Sequence, residues 1–110
     1  MALTTYEVVT STSADSVTAL VKATIATKPP IGSVRADLET VGGKVQFFQV
    51  IASGATAATD YKIVQHSDRA TFTALAAAAV VGGFAPLGDL DVLHTTVGGA
   101  HLFVQAFSKP

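Results

Sequence analysis

The chain has 110 residues, enough for one ordinary domain with a core and small enough that a partner would add useful burial. Its formal charge is −1 and its seven Lys and Arg are scattered, which argues against a nucleic-acid backbone as partner. Charged residues make up only 14% against 49% hydrophobic, and the absence of cysteine removes disulfides, thiol nucleophiles and Cys-ligated metals together.

In chain order, MALTTYEV carries no basic region ahead of an apolar stretch, so no signal peptide is expected. YEVVT (6–10) is rich in the aromatic and β-branched residues that suit a half-buried strand. Thr12 or Ser13 then offers an oxygen to the free N–H groups of a helix start, and Val17, Leu20, Val21, Thr24 and Ile25 recur at helical spacing. Lys28-Pro29-Pro30 is expected to stop that helix, because proline lacks the N–H and biases its predecessor toward extended geometry. IGSVRADLET (31–40) and KVQFFQVIA (44–52) read as two strands joined by a Val-Gly-Gly turn. SGATAATD (53–60) is small and polar, as a connection should be.

The same order then returns. YKIVQ (61–65) is a strand; Ser67 or Asp68 caps a helix with Phe72, Leu75, Ala76, Ala79 and Val80 in its apolar stripe; Gly82-Gly83 ends it. LGDLDVLHTT (87–96) and AHLFVQAFS (100–108) follow as strands around a second Val-Gly-Gly. ALAAAAVVGGFAPL (74–87) is too short and too broken for a membrane span, which needs roughly 20 apolar residues.

Shifting the sequence by 55 residues matches Tyr6 with Tyr61, Val9 with Val64 and Thr18-Ala19-Leu20 with Thr73-Ala74-Leu75. After one inserted residue the shift is 56, and it matches Pro30 with Pro86, Gly32 with Gly88, TVGG (40–43) with TVGG (96–99), Phe47 with Phe103 and Gln49 with Gln105. Two units are too few for a solenoid. The expectation is an α+β protein of two tandem βαββ repeats, 1–52 and 61–110, joined by 53–60 into one pseudo-twofold domain, 1–110, with two helices packed on largely antiparallel sheet. Strand order stays open, as does the choice between one continuous sheet and two packed sheets.

Alternation assigns Val45, Phe47, Gln49 and Ile51 to one face of the closing strand and Gln46, Phe48 and Val50 to the other. In the second half the rows are His101, Phe103, Gln105, Phe107 and Leu102, Val104, Ala106. Neither face is polar, whereas a half-solvated sheet alternates cleanly. Two helices cover one face only, so the other is expected to pack on a second sheet or, with so few charges, on another subunit.

Chemistry is sparse. Gln49 and Gln105 are each expected to satisfy a backbone group or to pair with the other, with a pocket between subunits as the sharper reading. A two-residue Gly98-Gly99 turn would make His94 and His101 diagonal neighbours, but zinc wants three or four ligands, so packing or an interface is the better reading. His66 beside Ser67 and Asp68 reads as helix capping, since consecutive side chains on one loop can hardly reach triad geometry. Asp37 with Glu39, and Asp89 with Asp91, share faces as an acid-base couple would, yet surface acids are the expectation on so apolar a chain. VGG lacks the strand-loop-helix context of a phosphate loop. No catalytic, cofactor or metal site is assigned, and Phe47, Gln49, Phe103, Gln105, His94 and His101 are the candidate interface residues.

YKIV (61–64), the helix around Leu75, GGFAPLGD (82–89) and FVQAF (103–107) give the second half a pattern over about 45 residues. It resembles a small family of uncharacterised domains in bacterial and bacteriophage proteins, which run Tyr-x-Val-Val, a Leu-containing helix, Gly-Trp-x-Pro-x-Gly-Gly and an aromatic-x-Gln-Ala strand. Phe84 stands where the tryptophan would be and Asp89 replaces the last glycine; TKPPIGSV in the first half has lost both the Gly-Trp pair and that glycine. The resemblance implies a non-enzymatic, oligomeric phage-type protein, in the virion or the host cytoplasm. With the twofold repeat, the two-sided apolar strands and the low charge, the concrete expectation is a capsid-decoration or head-fibre component that binds itself and other virion proteins; charge, hydropathy and motifs give no reason to expect nucleic acid, membrane or cofactor. The alternative is a protein that sequesters a small ligand or nucleotide signal in pockets at subunit interfaces; only Arg35 and Lys44 lie near enough to serve a phosphate.

Overall fold

The computed structural model describes residues 3–38, 44–94 and 101–110. In chain order these form β1 (Glu7–Ser11), α1 (Ala14–Thr24), β2 (Pro30–Leu38), β3 (Val45–Ile51), β4 (Asp60–His66), α2 (Arg69–Val81), β5 (Ala85–His94) and β6 (His101–Lys109). Two three-stranded antiparallel sheets result, ordered β1-β3-β2 and β4-β6-β5, so the protein is α+β with the closing strand central in each sheet. The Val-Gly-Gly turns expected at 41–43 and 97–99 lie outside the described residues.

Local chemistry sets the helix ends. Ser13 Oγ accepts from Ser16 N at 3.3 Å, and Asp68 Oδ2 accepts from Thr71 N at 2.9 Å, so each helix start has a partner for an otherwise free N–H. At the far end of α2, Gly83 N donates to Val80 O and Phe84 N to Ala79 O, both at 3.0 Å, with Gly83 at φ 95°. This is a Schellman motif, which needs the left-handed conformation that glycine adopts without strain. α1 ends at Thr24, before the prolines expected to stop it. The ring of Pro29 would collide with the Ile25 carbonyl in a continued helix, and the chain tightens before it, with Thr27 N donating to Thr24 O at 3.1 Å.

β2 and β5 each carry one register break, between Ile31 and Arg35 and between Leu87 and Asp91. Gly32 and Gly88, at φ 72° and 71°, lie inside these bulges. Along the bulges the two sheets meet. Ser33 Oγ accepts from Asp89 N at 2.6 Å, Asp91 Oδ2 accepts from Ala36 N at 2.8 Å, and Arg35 reaches Asp91 at 3.7 Å. The contacts advance in the same direction on both strands. A Cβ on Gly88 would fall 2.5 Å from Ser33 N, so the backbones approach more closely than any side chain at that position allows.

β1 and β4 are the edges farthest from this seam, and α1 packs on both as well as on β3. It closes the space between the sheets over a shared core that includes Val17, Val21, Val34, Phe47, Ile51, Tyr61, Val104 and Ala106. Burying such side chains is worth about 1.5–3 kcal/mol each for the larger ones, which is what holds the halves together. α2 packs on β4, β5 and β6 of its own half, around Val64, Phe72, Ala79 and Phe107. Among the described residues it makes no packing on β1 comparable to that of α1 on β4. The connection between the halves is tied down at both ends: Thr4 N donates to Ser53 O at 3.0 Å, Thr59 N to Lys109 O at 2.8 Å, and Thr59 Oγ1 to Pro110 O at 3.0 Å.

Candidate functional site

The bulges explain the glutamines. A bulge leaves carbonyls without ladder partners, and a buried carbonyl without a donor is costly. Gln49 Nε2 donates to the carbonyls of Ile31, Gly32 and Val50 at 3.1–3.2 Å, and Gln105 Nε2 donates to those of Leu87, Gly88 and Ala106 at 3.1–3.3 Å. Each amide thus fills the gap beside its own bulge, as the backbone-satisfying reading expects. The difference lies at the other amide atom. Gln49 Oε1 accepts from the Tyr61 hydroxyl at 2.7 Å, a bond that crosses between the halves in a buried site. Burial pushes the Tyr61 ionisation well above the ordinary tyrosine value, so the hydroxyl stays a donor. Among the described residues, no donor meets Gln105 Oε1.

The six candidate interface residues are therefore dispersed. Phe47 and Gln49 are buried in the shared core, covered by their own chain, and Gln105 is buried beneath α2. Phe103 is half-buried with its ring 5.8 Å from Phe72 and 6.3 Å from His101. His94 and His101 are directly paired across β5 and β6, with ring centroids 4.5 Å apart. The diagonal placement expected from a two-residue turn is corrected by this register, which leaves residues 95–100 between the paired histidines. The pair occupies the position of Leu38 and Val45, which are paired in the first sheet. Among the described residues, no three His, Asp or Glu side chains gather as a metal site would require.

The second face of the closing strands divides between two outcomes. In β6, Val104 and Ala106 are buried by the chain's own first half, so no other subunit covers them. In β3, Gln46, Phe48 and Val50 are only half-buried. Around them and elsewhere on the surface, Tyr6, Val8, Leu75, Val80, Leu90 and Val92 are exposed.

Sequence reading also missed Asp91, placed among surface acids. Its carboxylate joins the halves through Ala36 N and Arg35, and a glycine bulge recurring in both halves was the available signal for a seam. His66, read as a loop residue, is the last residue of β4; its Nδ1 accepts from the N–H of Asp68, the cap of α2, at 2.9 Å. The bonds from Thr71 hold the Asp68 carboxyl below its usual range; for Asp60 the bond from Tyr61 N does so first, with Lys22 at 3.2 Å adding to it. A groove of about 310 Å³ lies over the free edge of β4, between Ala14 and Asp15 of α1 and Leu75 and Ala78 of α2. Lys62 is the one cation among its lining residues and Asp15 offsets it, a poor match for a phosphate ligand.

Compared with protein-family models, with curated proteins and with solved structures, the chain finds no match in any of the three. Among the described residues, no helix is long and apolar enough to cross a membrane.

Proposed function

We propose that the chain is a non-enzymatic structural protein of phage type that works as an oligomer, most concretely a virion accessory such as a capsid-decoration or head-fibre component. The observation that carries this reading is the apolar surface on both sides of the molecule, on the outward face of β1 and β3 and on α2 with β5, in a chain with few charges. The motif words YKIV, GGFAPLGD and FVQAF support the phage association, and the buried glutamines are occupied by backbone rather than directed at a ligand. Mass spectrometry of purified particles tests the virion role: the protein is expected among their components, and its absence defeats that reading. Self-association is tested separately by size-exclusion chromatography with light scattering, where a monomer removes the premise.

We propose further that residues 1–52 and 61–110 are two versions of one βαββ unit arranged as a single pseudo-twofold domain. Matching strand order, bulges, helix caps and glutamine bonds support this. So do the Thr18 and Thr73 hydroxyls, which bond back to Ala14 O and Arg69 O at 2.8 Å in each helix. The unequal surroundings of α1 and α2 limit the symmetry to the seam and to each half's internal wiring.

A further inference from the structure

The repeat indicates what covers the open face of the second half. α1 is closed in by two walls, the inward face of its own sheet and the face of the second sheet bearing Tyr61, Ile63, Val104 and Ala106. α2 has only the first of these. Its own sheet carries the same apolar face, yet Leu90 and Val92 are 46% and 41% exposed where their counterparts Val34 and Ala36 belong to the core. The missing wall exists on the chain and faces outward. Tyr6, Val8, Phe48 and Val50 stand at the positions of Tyr61, Ile63, Val104 and Ala106; Tyr6 is 68% exposed and Val8 53%, while Phe48 and Val50 are half-buried. Within one molecule the two surfaces turn away from each other, because the sheets close on α1.

We propose that α2 and the outward side of its sheet dock on the outward face of β1 and β3 of a second molecule of this chain, repeating between molecules the packing that α1 makes with β4, and β2 with β6, within one. The polar wiring fits the same correspondence. Tyr61 donates to Gln49 Oε1 across the internal contact, so Tyr6 of the second molecule donates to Gln105 Oε1, which has no described donor in its own chain. Two different surfaces meet, so the contact closes a dimer when made reciprocally and a ring or filament when made onward. The inference rests on the reading of the protein as self-associating and names the contact through which that happens.

Sedimentation of the full chain tests it. Val8→Arg alters only the β1 and β3 face, and Val92→Arg alters only the face beside α2. Each variant alone is expected to sediment as a monomer, and their equimolar mixture as a heterodimer, because every mixed pair retains one intact contact. A monomeric wild-type chain overturns the self-association reading and this inference together. A wild-type oligomer whose state survives either substitution, or a mixture that stays monomeric, overturns this inference alone. Tyr6→Phe is too conservative at an exposed position to unfold the chain; it is expected to raise the dissociation constant about tenfold, and an unchanged constant counts against the contact.

Discussion

The helix of the first half is enclosed between the two sheets, whereas that of the second half is covered by its own sheet alone. Both halves have the same strand order, the same bulged edge strand at the seam and the same glutamine bonded to the same set of carbonyls. Yet Val34 of β2 is fully buried and Ala36 half-buried, whereas their counterparts Leu90 and Val92 of β5 are exposed. The difference follows from geometry rather than composition: two sheets joined along one seam can close on one side only, and closing on α1 opens the side that holds α2. Identical local wiring therefore coexists with unequal burial. Local hydrogen bonds are set within about 20 residues of sequence, while coverage is decided by the partner that packing selects.

The seam offers the sharpest way to break the comparison. Gly32 and Gly88 share a left-handed φ, but a Cβ at Gly32 meets nothing within 4 Å whereas one at Gly88 runs into the Ser33 backbone. Gly88→Ala is expected to cost about 3 kcal/mol or more in urea unfolding, and Gly32→Ala about 1–2 kcal/mol, the backbone strain alone. Equal losses would mean that the close approach of β2 and β5 does not hold in solution.

Gln49 and Gln105 come next. Replacement of either by Leu orphans carbonyls beside a bulge, but only Gln49→Leu also orphans a buried tyrosine hydroxyl. Gln49→Leu is expected to destabilise by about 1–2 kcal/mol more than Gln105→Leu. Adding Tyr61→Phe to Gln49→Leu should recover part of that excess in a double-mutant cycle; strict additivity would place the hydroxyl bond outside the energetics.

Acid acts on a pair that has no equivalent in the first half. The carboxyls of Asp60 and Asp68 are both held below their ordinary value in the folded chain. A depressed carboxylate stabilises the fold above its unfolded value and loses that contribution as pH falls through the folded one, so stability is expected to decline below about pH 4. Thermal unfolding should show a shallower acid decline in Asp60→Asn, which cannot titrate.

The smallest effect is at Thr24, whose buried hydroxyl has no partner among the described residues. Ala79 is its counterpart in α2 and is buried without a polar group. Thr24→Val keeps the shape and removes the orphan, so the melting temperature should hold or rise by a few degrees, with an expected change of under about 1 kcal/mol. A clear loss would mean that the hydroxyl has a partner in solution.

Much of the local architecture was legible in the sequence, because it depends on near neighbours. Aromatic and β-branched content and the turn signals placed the six described strands, Ser13 and Asp68 fell among the expected caps, and Gly82-Gly83 ended α2 as read. The bulges were hidden inside IGSVRADLET and LGDLDVLHTT, although an isolated glycine at the same place in two strands is a physical hint of one. The direct pairing of His94 with His101 differs from the diagonal placement read from the sequence motif. Coverage was the least legible feature. Phe48 and Val104 are equivalent residues in equivalent strands, yet one is half-buried and the other enclosed, and nothing within either strand distinguishes them.

The bonds that fasten the connection have a further consequence. Thr4 is held to Ser53, and Thr59 to Lys109 and Pro110, so Thr4 near one end of the described chain and Pro110 at the other are both anchored to the short segment 53–59. A circular permutant that joins the ends by a short flexible bridge and opens the chain within that segment would place Tyr61 near its start and Ile51 near its finish. The seam, the helix enclosed between the sheets and the Tyr61 bond to Gln49 would all be retained with the order of the halves reversed. What the fold specifies is which unit is enclosed and which is left outside; which of them the ribosome makes first is immaterial to that choice.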